Sequence, residues 1–81
     1  MVAEGAMQAI LACMRVHKDN EIVQAKSCGA MWNAANGCAT ACDVIIRAGG
    51  TKDIQLAVKL HSGDNHVVGN AQGILQHLQM R

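Results

Sequence analysis

Apolar residues return every three or four positions along this chain and almost never alternate, which is the period of a helix and not of a strand. Residues 6–17 carry Met7, Ile10, Cys13, Met14 and His17 at that spacing. Residues 21–35 repeat it with Val23, Ser27, Ala30, Met31 and Ala34, while Ile22, Ala25, Cys28, Trp32 and Ala35 widen the stripe. A helix that is apolar around so much of its girth needs neighbours on two sides. Cys38, Cys42, Ile45 and Ile46 share one face of a third helix over 38–48. Ile54, Ala57, Val58 and His61 mark a fourth over 51–61, and Val67, Val68, Ala71, Ile74, Leu75 and Leu78 a fifth over 65–79. The expected fold class is all-α.

Polar residues punctuate these segments. Asp19 or Asn20 supplies an N-cap, with Glu21 at the positive end of the following helix dipole. Asn36-Gly37 is a stop signal. Gly49 and Gly50 end the third helix, with glycine suited to a left-handed C-cap. Gly63 breaks the fourth, and Asp64 or Asn65 caps the fifth. The same phrase therefore occurs twice, as "VHKDN" at 16–20 and "LHSGDN" at 60–65. Shifting the chain by 44 places Gly5 on Gly49, Ile10 on Ile54, Arg15 on Lys59, Val16 on Leu60 and His17 on His61. One residue inserted at Gly63 then matches Asp19 and Asn20 to Asp64 and Asn65, and Val23 to Val68. One residue removed later matches Gly29 to Gly73, Met31 to Leu75 and Ala34 to Leu78. A helical period in the low forties is the mark of an armadillo or HEAT solenoid. Residues 1–81 read as one such segment: a first repeat, 1–36, without its first helix, and a second, 37–81.

Composition narrows the picture. Half the residues are hydrophobic, yet Trp32 is the only aromatic and proline is absent, so the core must form from small and flexible side chains on uninterrupted helices. A net charge of +1 with scattered acids and bases gives no footprint for nucleic acid or an anionic membrane. No apolar run approaches the roughly 20 residues that span a bilayer. The opening residues lack a basic stretch followed by an apolar one, so no secretory signal is expected. Cys13, Cys28, Cys38 and Cys42 then read as reduced thiols of a cytoplasmic or nuclear protein.

Candidate chemistry is sparse. His17 and His61 hold equivalent corners, where an imidazole can meet the last carbonyls of its helix; metal binding or a pH switch is the alternative. Cys38 and Cys42 stand one turn apart and would need two further ligands, such as Cys28 or His61, to hold zinc. No CxxC pair is present, and packed thiols are the simpler reading. "GNAQG" at 69–73 follows no strand and is no phosphate loop. No serine has a written His–Asp partnership. No enzymatic activity, cofactor or metal is expected.

"IIRAGG", the "DN" cap and "SCGAMWNAA" together resemble armadillo repeats. The resemblance implies a right-handed solenoid of about five helices. Residues 38–48 would be a short first helix, 6–17 and 51–61 second helices, and 20–35 and 65–79 third helices lining a concave groove. It implies a protein- or peptide-binding scaffold, with Asn33 at the position whose amide bonds the backbone of an extended peptide. The family's tryptophan position, one turn before, is Gly29 here. In the second repeat His77 stands at the asparagine position and Gln76 opposite Trp32. The candidate partner-binding residues are Lys26, Gly29, Trp32, Asn33, Asn70, Gly73 and His77. Trp32 has a second reading, as packing between neighbouring third helices, and Asn33 as a helix cap.

The alternative role is an assembly or capping module that stacks through its apolar end helices into a larger solenoid or oligomer. About three repeats are normally needed to bury a continuous core. Two incomplete ones are therefore expected to associate, or to be marginally stable alone.

Overall fold

In the computed structural model, residues 2–79 are described, with side chains from residue 5 onward; Met1, Met80 and Arg81 lie outside the described residues. Five helices follow one another: α1 (Val2–Val16), α2 (Glu21–Gly37), α3 (Ala39–Arg47), α4 (Gly50–Leu60) and α5 (Asn65–Gln79). Among the described residues there is no strand. None of these helices is long and apolar enough to cross a membrane.

The two repeated corners have the same hydrogen bonds. Asn20 Oδ1 accepts from the amides of Ile22 and Val23 at 3.0 and 3.1 Å. Asp64 Oδ1 accepts from His66 and Val67 at 2.9 and 3.1 Å. The amide of Asn20 donates to the His17 carbonyl, and that of Asp64 to the His61 carbonyl, both at 2.9 Å. Asn20 is thus the counterpart of Asp64, 44 residues away. The insertion expected at Gly63 is not there, because either an Asn or an Asp oxygen serves the cap and a single spacing runs through both halves.

Helix ends differ from expectation where a glycine signal went unused. The α2 helix continues through Asn36 and Gly37 to an extended Cys38, because Gly37 never takes the left-handed conformation that would stop it. Gly49 does take it, with φ of 78°, and turns the chain sharply from α3 into α4. Gly50, next to it, answers a different need. A Cβ there would lie 2.7 Å from Ile45 Cγ2, 2.9 Å from the Ile45 carbonyl oxygen and 3.0 Å from Leu11 Cδ2.

One apolar core joins all five helices. Leu11, Cys28, Met31, Ile45, Ile54, Val67, Ala71 and Ile74 are fully buried within it. The buried face of α3 is Ala41, Cys42, Val44 and Ile45; Cys38 and Ile46 are exposed, so the four residues expected to share a face are divided. Helix α1 turns back into α2, and Gln24, 2% exposed, staples the hairpin. Its Nε2 donates to the carbonyls of Met14 (3.1 Å) and His17 (2.9 Å), groups that the end of α1 leaves without helical partners. The α4–α5 hairpin lies against this first one in the same sense. Arg15 reaches Asp53, Ala25 meets Asn70 and Trp32 meets Gly73, so sequence order advances together on both sides. The architecture is a repeat-like, two-hairpin helical bundle with α3 packed at their junction.

Three glycine-to-alanine variants should separate these constraints in chemical denaturation. Gly50→Ala is expected to cost roughly 2–3 kcal/mol through overpacking against backbone. Gly49→Ala should cost about 1–2 kcal/mol through its positive φ. Gly63→Ala, which meets nothing within 4 Å, should fall within about 0.5 kcal/mol of the parent.

Candidate functional site

Helices α2 and α5 lie side by side and leave a groove of about 600 Å³ along their outer edge. Lys26, Gly29 and Asn33 reach it from successive turns of α2, and Asn70 closes it from α5. Ile22, Ala25 and Ala30 give it an apolar floor, while Glu21, Asp64 and His66 stand at its α2 N-terminal end. The charges are mixed. Asp64 is engaged as the α5 cap, so Lys26 and Glu21 are the ionic groups left to meet a ligand. Lys26 and Asn33 are exposed.

Asn70 has other employment. Its Nδ2 donates to the Ala25 carbonyl at 3.0 Å, tying α5 to α2. Gly29 permits this approach, since a Cβ there would lie 3.3 Å from the same nitrogen. The pair therefore sets helix spacing, and the amide hydrogens of Asn70 are partly committed before any ligand arrives.

Trp32 and Gly73 line a separate depression of about 520 Å³ with Gln72 and Gln76. The indole rests on Gly73: a Cβ at that glycine would fall 2.6–2.8 Å from three ring carbons. Trp32 is 37% exposed, so one face of the ring packs between α2 and α5 and the rest meets solvent. His77, half-buried in the last turn of α5, lines neither depression. The seven candidates thus divide into Lys26, Gly29, Asn33 and Asn70 in one groove, Trp32 and Gly73 in another, and His77 apart.

Two contacts that fix these surfaces carried no sequence signal. His61, expected to meet the carbonyls of its own helix, places Nε2 2.8 Å from the carbonyl oxygen of Lys18 in the opposite corner. Arg15 sends Nε and Nη2 to Asp53 Oδ2 at 3.0 and 2.7 Å, and Nη2 also to the Ala48 carbonyl at 2.8 Å. Hydrogen bonding to Asp53 strengthens the guanidinium's hold on its proton. Both contacts join residues about forty positions apart, so only the packing of the hairpins creates them.

The cysteines gather no metal set, and among the described residues no three His, Cys, Asp or Glu side chains converge. All four thiols are free. Cys28 is buried, and desolvation pushes its thiol up to about 11. Cys42 Sγ lies 4.0 Å from the Ala35 carbonyl. Cys38 is exposed at the start of α3, where the amides of Ala41 and Thr40 favour its thiolate and lower its pKa.

Native-state alkylation at mildly alkaline pH should therefore modify Cys38 and spare Cys28; equal rates, read by peptide mass mapping, would contradict the packing of α2. Gly73→Ala should displace the indole, shift Trp32 emission to longer wavelength and cost about 1–3 kcal/mol by overpacking. Unchanged emission would show that the ring does not rest there.

No protein-family model, curated protein or solved structure matches this chain.

Proposed function

We propose that this chain is an armadillo-like solenoid segment that acts, without catalysis, as a binding scaffold for an extended segment of a partner protein. The observation carrying this reading is the convergence of Lys26, Gly29 and Asn33 with Asn70 on one groove. Residues three or four apart on a helix share a face, so α2 offers a charge, a gap and an amide at successive turns. An extended peptide presents backbone donors and acceptors along its length, and a carboxamide can satisfy one of each. Ile22, Ala25 and Ala30 supply apolar contact between these polar points. The constant spacing of 44 between equivalent corners supports the solenoid relation.

Asn33 carries the peptide-backbone role in this proposal and Lys26 a charge-pairing one. Trp32, Gly73 and His77 stand outside the groove and have no part in it. Asn70 is a positioning residue, because its amide already holds Ala25. The four free thiols fit a reducing compartment, the cytoplasm or nucleus.

Selection of peptides from a random library, followed by amide-shift mapping on the labelled protein, tests the groove. Bound peptides should perturb residues 22–33 and 66–70, and Asn33→Ala should weaken them roughly three- to tenfold, the worth of one or two hydrogen bonds. Gln55→Ala, remote from the groove, should change nothing. Perturbations confined to α3 or α4, or affinity unaffected by Asn33→Ala and Lys26→Ala together, would refute it.

A further inference from the structure

The constant spacing of 44 allows burial to be compared position by position between the two hairpins. Gly50, Ile54, Ala57, Val67, Ile74 and Leu78 of the second hairpin are buried. Their counterparts in the first are Ala6, Ile10, Cys13, Val23, Ala30 and Ala34, and each is exposed or only half-buried. The cause is stacking: the first hairpin lies on this side of the second, as the approach of Leu11 to Gly50 shows, and among the described residues nothing buries the same side of the first. The relation reverses on the other side. Leu11, Met14, Cys28, Met31 and Ala35 are buried, whereas their counterparts Gln55, Val58, Gln72, Leu75 and Gln79 are exposed or half-buried.

The two outer faces differ in chemistry. The α4–α5 face carries three glutamines among those five positions, and a carboxamide keeps its hydrogen bonds only where water reaches it. The α1–α2 face carries alanine, isoleucine, valine and cysteine at its six positions, with no amide or charge. Stacking one copy head-to-tail on another would bury those glutamines against an apolar surface, with their hydrogen bonds unmade. Turning two copies so that their α1–α2 faces meet buries apolar surface on both sides, as a two-fold interface requires.

We propose that the outer face of α1–α2 is a self-association surface, and that its occupant is the same face of a second copy of this chain. The face continues an interface that already exists inside the molecule, since its six positions are those by which the second hairpin docks on the first. Its small side chains admit close helix approach, and Ile10 and Val23 provide the branched contacts. The molecule's extents are 32 × 24 × 17 Å, so its largest outline is roughly 800 Å², which is at most one side of a standard interface. On α2 the surface borders the groove at Lys26 and Asn33, sharing Ala30 with it, while its α1 part, Ala6, Ile10 and Cys13, lies outside that groove.

Sedimentation equilibrium of the reduced chain, from about 1 µM to about 1 mM, tests this. The expected result is a reversible monomer–dimer equilibrium without larger species. Cys13→Glu and Ala6→Glu, both on the α1 part of the face and away from the groove, should each weaken it at least tenfold with helix content unchanged. Gln72→Glu, on the opposite face, should leave it intact. A single monomer mass throughout would overturn the proposal. So would an open series of oligomers broken by Gln72→Glu and indifferent to Cys13→Glu, the signature of head-to-tail stacking.

Discussion

Two hairpins hide each other's flanks, and the rest of the molecule depends on that contact. Neither hairpin has an aromatic core of its own; the first buries methionine, leucine and cysteine against a neighbour, and the second isoleucine, valine and leucine. Apolar burial fixes proximity but not register, because it has no direction. Register comes from polar bonds at the seam. His61 reaches the Lys18 carbonyl and Asn70 the Ala25 carbonyl, 43 and 45 residues away. These separations bracket the repeat length of 44. Arg15 adds the clamp onto Asp53 and Ala48 at the junction of α3 and α4.

Close approach makes this arrangement sensitive to single atoms. The indole of Trp32 occupies the volume where Gly73 lacks a side chain, and Ile45 with Leu11 occupies that of Gly50. Large residues thus face missing ones, which lets slender helices interlock closely at these points. Gln24 settles the remaining polar account: no described buried side-chain nitrogen or oxygen lacks a partner. The interior is consequently inert, with Cys28 held as a thiol by its own burial.

Reactivity and recognition are left to the surface, where three regions differ in kind. The α2–α5 groove mixes lysine and amide with a floor of isoleucine and alanine, the features on which the proposed peptide role rests. The α1–α2 flank carries only small and branched apolar residues at the six positions whose counterparts are buried. The α4–α5 flank is fringed with glutamine and suited to water. This asymmetry arises because one hairpin covers the other on one side only. Two hairpins of the same helical pattern are thereby given unequal surroundings.

The sequence by itself determined the all-helical class and placed each DN cap to within one residue, because both rest on neighbours within a few residues. Helical periodicity, the Asn20 and Asp64 caps and the left-handed Gly49 are local matters that any tertiary setting inherits. The candidate groove was partly legible for the same reason: Lys26, Gly29 and Asn33 share a face wherever α2 is placed. Only the tertiary structure decided that Trp32 and Gly73 belong to another depression, that Asn70 is spent on Ala25, and that His77 stands apart. It also decided that His61 bonds across the corner and that Cys38 and Cys42 part company. Those outcomes depend on how far apart and at what rotation two helices pack, and that is set by the summed volumes of side chains some forty residues apart, which no local pattern encodes.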